Sequence, residues 1–202
     1  MMDRREFIRL GVGSAVCSII PTGWSGIADY HEAQIARVTR RVKALERTSD
    51  AGFFFITDIH VSDNCGKSGE LLAELHRRTG IRRTICGGDI GVACAWGSPT
   101  SEAAVEHAIS AFRTKWINPI EDAGGDIYTA KGNHDFSTGL KIGATEGCTL
   151  TCGETRDVLM GSRGCRSAVT NPDDADSCYY YFDDASSRFR YIIADTTDSV
   201  TN

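Results

Sequence analysis

Six polar residues in three short motifs have the types and spacing to do chemistry. They are Asp58 and His60 in Asp58-x-His60, Asp89 in Gly88-Asp89, and Asn133, His134 and Asp135 in Gly132-Asn133-His134-Asp135. They offer carboxylate, imidazole and neutral amide donors, the set that divalent metals used in hydrolysis accept. A carboxylate such as Asp89 carries lone pairs on two oxygens and can bridge a pair of ions. Asp58 and His60 are two positions apart, so one turn can aim both at one ion. Gly87 and Gly88 let the backbone before Asp89 pass close to an ion with no side chain in the way. Asn133 donates oxygen without adding negative charge that would repel a phosphate.

Three predicted strands position these motifs. Gly52 to Thr57 is a short apolar, aromatic run that reads as a buried strand ending in Asp58. Arg83 to Cys86 delivers Gly87-Gly88-Asp89, and Asp126 to Ala130 delivers Gly132 to Asp135. Between the first two, Ser68 to Arg78 carries Leu71, Leu72 and Leu75 at helical spacing and stops at Gly80. Ser98-Pro99 is expected to open a longer helix with Val105, Ile109, Phe112 and Trp116 on one face, limited by Pro119. Alternation of strands and helices implies parallel strands, right-handed crossovers, and ligand-binding residues at the strands' carboxyl ends. From Phe136 to Ser177 there is little periodicity, and a long loop is expected. Cys178 to Asp183 and Phe189 to Asp195 then read as a hairpin.

The ordered triple resembles the first three motifs of the calcineurin-like metallophosphoesterases, over roughly Phe53 to Thr196. The resemblance implies an α/β fold, a metallophosphoesterase-like β-sandwich flanked by helices (αββα), with its second sheet incomplete in this chain. Two divalent or trivalent metal ions (iron, manganese or zinc) are implied as cofactors. Asp58 and His60 would hold the first, Asp89 would bridge, and Asn133 would hold the second. His134 would stand near the scissile bond, stabilising the transition state or protonating the leaving oxygen, with Asp135 orienting it. The implied substrates are phosphomonoesters or phosphodiesters. Family members add a Gly-His and a Gly-His-x-His that supply further imidazoles, and no histidine follows His134. The expectation is an incomplete copy of a longer enzyme. The alternatives are a non-catalytic metal- or phosphate-binding protein and a metallohydrolase acting on non-phosphate substrates.

The first 28 residues resemble a twin-arginine export signal: Arg4-Arg5, then Glu6-Phe7-Ile8, a modest apolar run, and Gly26-Ile27-Ala28 as a small-residue cleavage site. That implies a periplasmic or secreted protein that meets a membrane only during export, with 202 − 28 = 174 residues after cleavage. Residues 29–50 are expected to form an N-terminal helix and linker, and 51–202 the catalytic domain. The helix spans His31 to Arg47, with Ile35, Val38, Val42 and Leu45 docking on the domain; its arginines leave an anionic membrane surface as the alternative. The formal charge is −5, and about −6 without the signal, which disfavours nucleic acid as a partner. Cys148, Cys152, Cys165 and Cys178 are expected to form two disulfides, with a zinc site as the alternative, and Cys65 and Cys94 to pair. Cys86 reads as a buried free thiol.

Overall fold

The structure, a computed structural model, describes residues 24–46, 51–61, 67–92, 101–135, 150–174 and 176–195. The Arg4-Arg5 motif, Cys65, Cys94, Ser98-Pro99 and Cys148 lie outside them. In chain order the elements are α1 (Trp24–Leu45), β1 (Phe54–Ile56), α2 (Ser68–Thr79), β2 (Arg83–Cys86) and α3 (Glu102–Phe112). After a π-helical turn at Arg113–Ile117 come α4 (Asn118–Asp122), β3 (Asp126–Thr129), α5 (Cys152–Leu159), a 3₁₀ turn at Gly164–Ser167, and β4 (Val169–Thr170), β5 (Tyr180–Asp184) and β6 (Phe189–Ile193).

The fold is α/β with two small sheets. β1, β2 and β3 form a parallel sheet in that order, with Phe55 opposite Ile85 and Ile85 opposite Tyr128. β4, β5 and β6 form an antiparallel sheet, with Phe182 opposite Tyr191. Period-two alternation gives the parallel sheet two apolar faces. Phe54, Ile56, Cys86 and Ile127 pack on Leu72 of α2, on Ala108 and Phe112 of α3, and on Trp116, Ile117 and Ile120. Ile85 and Tyr128 face Tyr180, Phe182, Tyr191 and Ile193 of the antiparallel sheet. The Tyr128 and Phe182 rings stack at 3.6 Å, and Phe182 stacks in turn on Tyr191. Each fully buried aromatic or aliphatic side chain contributes about 1.5–3 kcal/mol.

Local chemistry explains where several boundaries fall. α2 ends where Gly80 turns left-handed (φ 75°) and donates its N–H to the His76 carbonyl. His76, assigned no role from sequence, is a buried node: Nδ1 donates to the Ile81 carbonyl at 2.5 Å and Nε2 accepts from the Thr84 hydroxyl at 2.8 Å. Burial pushes its pKa down, and the ring stands T-shaped to Phe54. α1 docks through buried Ile35 and the Arg78–Glu32 ion pair, at 2.6 Å.

The structure also corrects several expectations. α1 begins at Trp24, not His31, and runs through Gly26-Ile27-Ala28. β1 is shorter than Gly52–Thr57 and only half buried: Phe53, edge-on to Tyr191, and Phe55 stay 45% and 52% exposed. Ser101 caps α3, accepting from the Ala104 N–H at 3.2 Å. Pro119 does not stop the helix. The preceding π turn, closed by the Asn118 N–H on the Arg113 carbonyl, restarts it so that the proline falls in the first turn of α4. The expected loop before the hairpin contains α5, whose start is a capping box: the Glu154 N–H donates to Thr151 Oγ1, and the Thr151 N–H to the Glu154 carboxylate.

The disulfide expectation is overturned for the described cysteines: Cys152, Cys165 and Cys178 are free thiols. Cys165 is buried between the sheets, 3.6 Å from the Tyr180 hydroxyl, whereas Cys178 belongs to the core beneath the helices. The sequence clustered them, but the fold distributes them to opposite faces of the parallel sheet. Cys86 is a buried free thiol, as expected.

Candidate metal centre

The three loops that follow β1, β2 and β3 meet at the carboxyl end of the parallel sheet. Beyond β1, the Asp58 N–H donates to the Gly88 carbonyl and the His60 N–H to the Asp89 carbonyl, both at 3.0 Å, so the first two loops continue side by side. The third loop joins through the His134 N–H, which donates to Asp89 Oδ1 at 3.0 Å. Close approach makes the glycines necessary. A Cβ on Gly88 would sit 2.6 Å from the Gly132 nitrogen, and a Cβ on Gly132 would lie 2.9 Å from Asp89 Cγ and overlap its backbone.

Asp135 closes the third loop onto the second. It is fully buried, and its two carboxylate oxygens accept the Gly91 and Gly132 N–H groups, each at 2.9 Å. Burial pushes its pKa up, helped by nearby Asp89, while the backbone donors pull the other way. Sequence reasoning gave Asp135 the orienting of His134. In the structure that carboxylate clasps backbone N–H groups of the second and third loops. The clasp needs Gly91, which was not singled out although Gly87, Gly88 and Gly91 are closely spaced.

Three donors converge. One ligand atom each from His60, Asp89 and His134 lies within 4.8 Å of the other two, and the two imidazole rings stand edge to face at 4.7 Å. Asp58 and Asn133 occupy the same loops, both solvent-exposed, and Asp58 is not one of that trio. Asp58 accepts the Thr57 hydroxyl at 2.8 Å. Thus three of the six sequence-chosen residues form the compact cluster, Asp135 supports it, and Asp58 and Asn133 border it.

The backbone is strained where the donors sit. Asp58, His60 and Asp89 have φ of 53°, 37° and 54°, the left-handed region that non-glycine residues rarely adopt. Each such residue stores on the order of 1–3 kcal/mol, which surrounding contacts must over-determine. Burial pushes the Cys86 thiol beneath the loops up to about 12, with Asp135, Asp58 and Asp89 adding to the rise. Oxygen and imidazole donors in a negative field suit a divalent metal.

No family model matches the chain, and neither the curated proteins nor the solved structures contain a match. The site therefore has to be argued on its own geometry. Lys131, which leads into the third loop, makes a 2.6 Å ion pair with Asp195, with little of either side chain exposed, tying the end of the second sheet to the loop's base.

Proposed function

We propose that this chain carries the metal-binding part of a phosphoester hydrolase. The observation that supports it is the convergence of His60, Asp89 and His134 at the carboxyl end of a parallel sheet, with ligand atoms within 4.8 Å of one another. The motif resemblance gives the reaction class and the finer fold, a sandwich flanked by helices with two ions on Asp58, His60, Asp89 and Asn133. A divalent ion there supplies Lewis acidity toward a phosphoryl oxygen.

The protein's own residues do the rest. Asp58 and Asp89 offset cation charge; Asn133, an exposed neutral amide, adds no charge that would repel a phosphate. The Asp135 clasp holds the third loop to the second, so that His134 keeps its place beside the metal and the incoming phosphate. Glycines 88 and 132 let the second and third loops touch, because a side chain on either would collide with the facing loop. Export to the periplasm or beyond belongs to the same proposal and rests on the Arg4-Arg5 segment alone.

The test is hydrolysis of p-nitrophenyl phosphate and bis-p-nitrophenyl phosphate by the full chain with manganese, zinc or iron, with and without chelator. Metal-dependent turnover lost in Asp89→Asn is the expected outcome. Metal binding with no turnover on either ester refutes the hydrolase and leaves a non-catalytic metal-binding protein.

A further inference from the structure

We propose that the outward face of α1 docks the protein on an anionic phospholipid surface, with Arg37, Arg40, Arg41 and Lys43 as the contacting cations. The inference goes beyond the metal centre and does not depend on it. It departs from the expectation that a membrane is met only during export.

α1 has two faces. On the docked side Ile35 is buried, Val38 and Val42 are half-buried, and Glu32 is held by Arg78 of α2. At about 100° per residue, Arg37, Arg40 and Arg41 fall within roughly 100° of arc, centred about 140° from the three apolar residues. All three, and Lys43 beside them, are exposed. Among the described residues none of the four makes an ion pair. No acidic residue lies between Glu32 and Glu46. Like charges three and four positions apart repel on a helix surface, and an anionic surface relieves that repulsion.

The rest of the molecule fixes the orientation and the kind of partner. The chain as a whole carries −5, so the leaflet that attracts this strip repels the remainder, and one face is presented. Only Pro21, Thr22 and Gly23 separate the apolar run Gly11 to Ile20 from Trp24, where α1 begins. Contact of that run with a bilayer therefore brings α1 to the headgroups. Four cations clustered on a helix next to such a segment are what anionic headgroups attract. The strip from Arg37 to Lys43 is only about 9 Å long, enough for a few headgroups and too short for an acidic protein to track a nucleic-acid duplex.

Co-sedimentation of the full chain with vesicles of phosphatidylcholine, alone or with about 30% phosphatidylglycerol, tests this. The expected result is preference for the anionic vesicles, fading as salt rises from about 0.05 to 0.5 M. Replacing Arg37→Gln, Arg40→Gln and Arg41→Gln together should lower that partitioning about 100-fold, at about fivefold per cation. The urea midpoint should hold, because all three side chains are exposed. Arg37→Lys, Arg40→Lys and Arg41→Lys together should bind as the native chain does. Equal partitioning onto both vesicles, or undiminished partitioning in the glutamine variant, overturns the inference. Retention on polyglutamate or duplex DNA without preference for anionic vesicles gives the strip to another class of partner and overturns it too. If the glutamine variant fails to fold, the lipid preference and salt dependence of the native chain and lysine variant decide. No turnover is measured, so failure of the hydrolase reading leaves these outcomes unchanged.

Discussion

Replacing Gly132 by alanine tests whether the loops are fitted as closely as a metal centre requires. Gly132 is not among the positive-φ residues, so alanine adds a methyl group without a backbone penalty. That methyl carbon would stand 2.9 Å from Asp89 Cγ, where ordinary contact begins near 3.4 Å, and would overlap Asp89 Oδ1 and the Asp89 nitrogen. Relief at the rigid Asp89 nitrogen, 2.3 Å away, requires the loops to part by about 3.4 − 2.3 = 1.1 Å. The hydrogen bond from the His134 N–H to Asp89, now 3.0 Å, then passes out of range. Overpacking costs about 1–3 kcal/mol and a lost bond to a charged acceptor about 1.5–3 kcal/mol, so the expected destabilisation is roughly 2.5–6 kcal/mol. Zinc affinity should fall about 10- to 100-fold, as it does when support around a ligand is lost. Gly124→Ala is the control. Gly124 has φ 80° and nothing within 4 Å, so it should lose about 1–2 kcal/mol through backbone strain alone and bind metal normally. Urea unfolding and zinc calorimetry on both variants decide. Native-like stability and affinity in Gly132→Ala, or weakened metal binding in Gly124→Ala, would show that close loop contact does not govern the site.

Other consequences are as specific. Asp135→Asn turns an amide NH₂ toward the Gly91 or Gly132 N–H, and urea unfolding should report a loss of about 1.5–3 kcal/mol; an unchanged midpoint would contradict the clasp. His76 has a folded pKa below its ordinary 6.5, so the unfolded chain binds the proton first and stability should decline as pH falls below about 6.5 towards the folded pKa. His76→Gln should flatten that part of the profile, and an equally steep decline in the variant would assign it elsewhere. Thr151→Ala removes the cap of α5 and should cost about 1 kcal/mol in thermal or urea unfolding with zinc affinity intact; a change in affinity would link α5 to the centre.

What sequence revealed and what it hid follow from the range of the interactions. Parallel order, strand-end placement and the hairpin are local or periodic signals, and the register of Arg83 to Cys86 against β1 and β3 agrees with them. The meeting of Asp58, His60, Asp89 and Asn133 on adjoining loops also follows from topology. Which donors share a point does not: the His60–His134 pairing depends on left-handed turns and on Asp135 reaching 44 residues back to Gly91. The π turn that carries the helix past Pro119 was hidden because proline near a helix end normally reads as a stop. Cysteine spacing misled for a related reason. Nearness along the chain put Cys165 and Cys178 in one presumed staple, while the core drew them to opposite faces of a sheet.

Anomalous scattering at the zinc absorption edge, from zinc-loaded crystals of the full chain, tests the central claim most directly. Strong anomalous density between the three loops, within bonding distance of His60 and Asp89, about 2.0–2.2 Å, is the predicted result. No peak between the three loops, or a peak bound only elsewhere on the molecule, would contradict the metal centre and the chemistry proposed from it.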